Sequence, residues 1–357
     1  MATTLFQRLG SLRLGDPSRA EFDGAVSESD LQQLAGLSTV KTLQCSSPVK
    51  DPVWSLLNDR FFSVRPDVEL RVYGHYSTEC DLSFAGRMTR VRRFAADCLM
   101  RARNVEAIAD MPHLEALSLG VFELQDFRLL DVVSPALLTL SLGATRSKKP
   151  RLSALNRFTS LKRLYLEGQS NGIDVLGELE ALEEVTLRSI TTPDLRYLAP
   201  LKRLWSVDVK LGGIRSFEGI EGNAAIKHLE LWQIRELRHA DVLRSLTGLQ
   251  NVFLQSLPHV QTLPRLDGCG GLRRVVLQNM KGLVAFDALA ECPALEEFAL
   301  LEGNRQQPEH LVPVLRNPAT RRVTALFGSD RKNESFARLR DTYGKSDWSP
   351  STPFTYS

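Results

Sequence analysis

The sequence predicts an α/β fold: a curved solenoid with a parallel concave β-sheet and short helical or 3₁₀ turns on its convex side. Three observations carry that expectation. An L-x-x-L-x-L motif appears plainly in Leu161-Lys162-Arg163-Leu164-Tyr165-Leu166 and, with Val in the middle, in Leu249-Gln250-Asn251-Val252-Phe253-Leu254. Its middle apolar position, taken as an anchor, returns every 21 to 25 residues at Leu117, Leu140, Leu164, Val185, Val207, Leu229, Val252, Val275, Phe298 and Val323. Between anchors, apolar residues recur every third position, a spacing that suits 3₁₀ or tight turns better than a helix of period 3.6.

Weaker anchors continue towards the N-terminus at Phe94, Leu70 and Leu43, making thirteen candidate repeats. Within each, the short L-x-L places alternate side chains on the core face of a strand and turns the residues between them outward. One such unit cannot bury its own apolar face. Stacking gives every apolar position a neighbour one period away and pairs the strands' backbone groups, so a constant register over hundreds of residues specifies a solenoid.

The pattern resembles the leucine-rich repeat family from about Leu37 to Phe327. That resemblance implies the curved parallel sheet and a concave surface of the kind that binds partners. The sequence departs from the family's most familiar pattern at the position five after the anchor, where asparagine forms a ladder with neighbouring turns. Phe122, Ile190, Ile234, Leu257 and Met280 stand there instead, with Thr145, Gln169, Gly212 and Gly303 in other repeats. Apolar packing is expected to replace much of the ladder.

Taken in order, the chain divides into an N-terminal cap over 1–36, a solenoid of about 13 units over 37–327, and a C-terminal cap and flexible tail over 328–357. Ser27 and Asp30 form a capping-box pattern before Leu31-Gln32-Gln33-Leu34, and 52–62 reads as a helical insertion. Gly143 to Arg151 reads as a basic surface loop, and Gly212-Gly213 as a turn that relaxes backbone restrictions after its strand. In the period after Val252 the rows of three run through Leu257, Val260, Leu263, Leu266, Cys269 and Leu272, and in the next through Met280, Leu283, Phe286, Leu289, Cys292 and Leu295. Cys269 and Cys292, one period apart, are expected to be stacked core thiols. Asn333 is placed at the start of a helix through Arg340 that Gly344 stops, with a loose Ser/Pro-rich tail from Ser346.

Composition bounds the function. Hydrophobic residues make up 43% and charged residues 24%, which argues against wholesale disorder and a membrane-embedded chain. The 45 basic and 42 acidic residues nearly balance, so no bulk charge points to nucleic acid or an anionic membrane. Five cysteines, an odd and sparse set, fit a reducing compartment. The opening MATTLFQRLGSLRLG is too polar for a signal-peptide core, and a cytoplasmic location is the expectation.

The outward strand positions are where function is expected. Across the thirteen repeats they carry seven Lys or Arg and seven Asp or Glu, a mosaic that suits a folded protein partner better than a phosphate backbone. Trp232 and Phe253, outward on adjacent strands, are the expected anchor, with Asp208, His228, Glu230 and Arg274 selecting polar geometry and Tyr165 further along the array. No H-E-x-x-H, G-x-x-x-x-G-K-[ST] or G-x-S-x-G motif is present, so no catalytic, metal or cofactor-binding residue is assigned. The expectation is a non-enzymatic, cofactor-free protein-recognition module that engages a protein on its concave face and binds neither nucleic acid nor membrane, with a monomer favoured. The alternative is a structural or regulatory component of an assembly that binds through its caps or convex turns.

Overall fold

A computed structural model describes residues 7–75, 78–148 and 150–357, so the first six residues and Lys149 of the basic loop lie outside the described part. The chain forms two compact units, one ending at Leu182 and the other spanning Glu183–Ser357. In each, short parallel strands lie side by side one repeat apart. In the first unit Leu43, Leu70, Phe94, Leu117, Leu140 and Leu164 are successive partners across the sheet. In the second, Val185, Val207, Leu229, Val252, Val275, Phe298 and Val323 pair in the same way. Every anchor read from the sequence therefore sits in register with its neighbours inside its unit.

The row of threes builds the other side of each repeat. Short 3₁₀ turns such as Val105–Asp110, Ser153–Arg157, Ile173–Glu178 and Asp287–Leu289 run there, with single α-turns at Leu129–Val132 and Val242–Ser245. Both rows of three in the periods after Val252 and Val275 are buried throughout. Cys269 and Cys292 lie in them, fully buried, and their thiols donate to the carbonyls of Leu243 and Leu272 in the preceding turns. Burial pushes the Cys292 thiol up to about 11 and the Cys269 thiol in the same direction, so both are inert core groups.

The strands end in a feature that residue type does not announce. Four positions after the anchor, Cys98, Ser189, Leu211, Gln233, Ser256, Asn279 and Glu302 all adopt positive φ, between 51° and 58°. The N–H groups of Ser189, Leu211, Gln233, Ser256 and Asn279 still donate across the sheet to the next repeat, after which the chain turns off the strand. Left-handed backbone costs an L-residue roughly 1–2 kcal/mol, and the stacked sheet imposes it in these repeats, whereas Ser47, Val121, Ala144 and Phe327, at the same position after their anchors, do not have positive φ.

Position five behaves largely as expected. Ile190, Ile234, Leu257 and Met280 are fully buried, whereas Phe122 is 43% exposed. Thr145 and Gln169 retain a polar rung, the Gln169 amide donating to the Thr145 hydroxyl inside the core. Gly212 corrects the sequence reading. The left-handed residue is its neighbour Leu211, and neither Gly212 nor Gly213 has positive φ. What Gly212 supplies is room, since a Cβ there would stand 2.5 Å from the Ile190 carbonyl oxygen.

At one end, three antiparallel strands, Gln7–Leu9, Leu12–Asp16 and Arg19–Glu21, precede the first repeat, and the last of them pairs in parallel with Thr42–Cys45. The sequence reading did not find them. The helix Glu28–Ala35 carries the expected box, with Ser27 and Asp30 bonding reciprocally. Asp51–Leu56 and Leu57–Phe62 form the helical insertion. At the other end the helix spans Asp330–Thr342 with Ser329 at its cap, four residues ahead of the expected cap at Asn333. Asn333 is not free to cap it, because its side-chain oxygen accepts the Phe327 N–H at 2.8 Å and ties the helix to the last strand. Gly344 does stop the helix, at φ 66°.

Replacing Gly212 with Ala forces a shift against a backbone carbonyl and is expected to cost about 1–3 kcal/mol. The measurement is the urea midpoint at unchanged slope. Gly268→Ala, with nothing within 4 Å of the added Cβ, serves as the control and moves the midpoint little.

Candidate protein-binding face

In the second unit the outward side chains of Glu184–Arg188, His228–Trp232 and Asn251–Gln255 alternate half-buried with the buried core positions. Their register sets a row one before the anchor (Glu184, Ser206, His228, Asn251, Arg274), a row one after it (Thr186, Asp208, Glu230, Phe253, Val276) and a row three after it (Arg188, Lys210, Trp232, Gln255, Gln278). Five of the expected contact residues, Asp208, His228, Glu230, Trp232 and Phe253, come together on this face.

Lys210 organises the polar part. Its ammonium lies 3.2 Å from Asp208 and 3.1 Å from Glu230, and His228 Nε2 stands 3.3 Å from Asp208 Oδ1. Burial raises the Asp208 carboxyl, but the close approach of His228 and the charge of Lys210 outweigh it and hold the group below the usual carboxylate value. Glu230 moves the other way, raised by burial and by the neighbouring Asp208 charge against the pull of Lys210. Lys210 is raised, since its two carboxylates overcome the burial that would lower it. Asp208, His228 and Glu230 are the one trio among the described residues whose donor atoms could meet at a metal ion. Lys210 already occupies the cation's place between the two carboxylates, which makes the group an ion-pair network in this structure.

Trp232 is half-buried beneath the Arg188 guanidinium, 5.7 Å from its ring centre. Its indole N–H is buried and has no acceptor among the described residues. Phe253 is half-buried on the next strand, paired opposite Glu230. Tyr165 belongs to the first unit, where its hydroxyl donates to Glu167 at 3.0 Å. It lines an apolar hollow with Met100, Phe122, Gly120 and Gly143.

Arg274 is placed differently from the exposed polar contact expected of it. It is buried, bonded to Glu297 at 2.5 Å, and covered by the 346–357 segment, whose Thr352 carbonyl accepts from it at 2.7 Å. That segment, expected to be loose, is seated along the row one before the anchor and the residues just ahead of it. The burial pattern registers the cover: in Arg274–Gln278 and Glu297–Leu301 the first four residues are all buried, with no alternation. Val276 and Ala299 are buried too, at outward positions where earlier repeats carry Thr186, Asp208 and Glu230.

The opposite pKa directions of Asp208 and Glu230 give opposite pH dependences. Asp208, depressed in the fold, contributes stability above its unfolded value that disappears as pH falls through its folded one. Asp208→Asn is therefore expected to destabilise most near neutrality and least in acid. Glu230, raised in the fold, contributes stability present below its unfolded value and lost as pH rises through its folded one, so Glu230→Gln is expected to gain on the wild type towards neutrality. Urea unfolding of both variants between about pH 4 and pH 7 reads both signs.

No protein-family model matches the sequence, and no curated protein does. Solved structures do match. An internalin from Listeria monocytogenes shares 16% identity over 88% of this chain and 87% of its own, with a TM-score of 0.55. Toll from Drosophila, solved with Spätzle, shares 14% over 89% of this chain with a TM-score of 0.53, and TLR13, solved with a single-stranded RNA, 16% over 87% with a TM-score of 0.57. This chain spans 51% and 50% of those two, about half of each. Identities this low carry the architecture alone, and they agree with the strand register and turn rows described above: the chain has the leucine-rich repeat fold.

Proposed function

We propose that this chain is a non-enzymatic protein-recognition module that engages a folded protein partner on the open side of the sheet in its second unit. One observation carries the reading: Trp232 presents a half-buried indole on the row three after the anchor, next to the strand that carries Phe253. A partner that closes over the exposed part of that ring removes apolar surface from water, which contributes about 25 cal/mol per Å². Phe253 adds an apolar surface on the next strand, and the Asp208, Lys210, His228 and Glu230 network surrounds both with fixed charges of both signs. Aromatic anchors inside a polar rim are the usual make-up of a binding hot spot.

The mixed signs favour protein over nucleic acid, since a phosphate backbone calls for a continuous basic track. The Lys210 position between two carboxylates favours a network without a metal, and the reading needs no cofactor. A cytoplasmic setting and a monomer belong to the same proposal. Among the described residues no helix is long and apolar enough to cross a membrane.

The experiment is affinity capture from native extract with the wild-type chain, Trp232→Ala and Phe253→Ala, each first confirmed as folded. A hot-spot truncation of about 2 kcal/mol lowers affinity roughly thirtyfold, so a specific protein is expected to be held by the wild type and lost by both variants. Partners retained by both would move binding to the caps or convex turns. Salt-sensitive recovery of RNA in place of a protein would overturn the proposal.

A further inference from the structure

The 346–357 segment runs back across the sheet of its own unit. Trp348 Nε1 donates to the Phe298 carbonyl at 3.0 Å, and Arg274 lies 4.7 Å from the Trp348 ring and 5.0 Å from that of Phe354. Arg273 lies 4.8 Å from Phe354 and donates to the Thr355 carbonyl at 2.5 Å. Tyr356 packs 4.9 Å from Trp205 and 6.1 Å from His228, and its hydroxyl accepts from the Asn251 amide at 3.0 Å. Gln250 closes the run with a two-way pair, donating to the Ser357 carbonyl at 3.1 Å and accepting the Ser357 N–H at 3.0 Å. Lys227 also donates to that carbonyl.

These contacts sort into two kinds. Side-chain donors, Arg274, Arg273, Lys227 and Gln250, reach the segment's main-chain carbonyls, which any sequence offers. Aromatic slots take Phe354 and Tyr356, two residues apart and half-buried, while Pro353, Thr355 and Ser357 between and beside them are exposed. That is the geometry by which a surface reads an extended peptide, with main-chain bonds holding it and alternate side chains selecting it. The row three after the anchor, with Lys210 and Trp232, makes none of these contacts. The face is thus divided into a strip filled from within the chain and a strip left open.

We propose that the filled strip, from Trp205 to Arg274, is a binding groove for an extended peptide carrying two aromatic residues at i and i+2, and that residues 352–357, which follow the turn closed by the Thr352 N–H on the Ser349 carbonyl, are its resident, displaceable ligand. A partner that needs the whole face presents a segment of the same chemistry and competes with the resident one. The groove stands on the contacts above, and only its use by a partner rests on the proposed function.

The test uses a fluorescent peptide, Ser-Pro-Ser-Thr-Pro-Phe-Thr-Tyr-Ser, titrated against the full-length wild type and the full-length double variant Phe354→Ser/Tyr356→Ser, with amide exchange followed over 350–357. The wild type is expected to protect those amides and to bind peptide at least tenfold more weakly than the variant, whose own segment has let go. Adding Asn251→Ala and Arg273→Ala to the variant, with the fold checked by circular dichroism, is expected to abolish peptide binding. Equal binding by wild type and variant, amides unprotected in the wild type, or amides still protected in the variant would each overturn the groove. So would absence of binding by the variant up to the millimolar effective concentration of a short tether, since a segment that weak does not stay seated in cis. None of these readouts uses an external partner, so failure of the peptide titration can be told apart from failure of the Trp232 capture.

Discussion

Register between neighbouring repeats is the constraint on which this molecule depends. Each strand has its backbone groups satisfied by the strands one period before and after it, and each core row lies against the same row of the adjacent turn. Neighbouring strands are therefore best left at the same point and in the same direction. From the strand of Val185 to that of Phe298 the chain does so through the left-handed residue four after the anchor, even where that residue is Leu211 or Gln233. The strain at those positions is local, while the pairing that overrides it is shared by the whole unit.

The anchors were legible because burial selects residue type: Leu, Val and Phe at a fixed period leave few other ways to bury them all. The left-handed turns were not, because nothing local demands them. Ser189 and Leu211 adopt positive φ for the sake of their neighbours' hydrogen bonds, and a sequence scan looks for Gly or Asn there. The same reasoning explains Gly212, a glycine that answers to the Ile190 carbonyl beside it and not to its own dihedral angles. The antiparallel strands ahead of Thr42–Cys45 escaped for a related cause, being short and lacking the repeat's spacing.

The candidate face shows the division again. Which side chains point outward follows from a period of two, so Asp208, Glu230, Trp232 and Phe253 could be placed together from the sequence. What those side chains do to one another depends on distances that spacing does not contain. Lys210 bridging two carboxylates turns neighbouring acids into groups with opposite titration behaviour. Arg274, read as an outward contact, is engaged by Glu297 and by a segment whose low apolar content suggested no fixed place. Trp348, Phe354 and Tyr356 were visible, but the segment's partners lie as far back along the chain as Trp205.

A stack of repeats ordinarily has short-range cohesion only, each unit touching the next, so its last units can fray one at a time. The returning segment changes that. Through Trp348, Thr352, Phe354 and Tyr356 it fastens the strands containing Phe298, Arg274, Asn251 and His228 to one strap. Opening the last repeat then also strips contacts from repeats well inside the stack, and the terminal half melts as a block. Such a strap closes a loop of about a hundred residues between Gln250 and Ser357. Its ends meet only after the intervening strands are in place, so the strap is the last part of the second unit to dock and the first that a competing ligand can peel away.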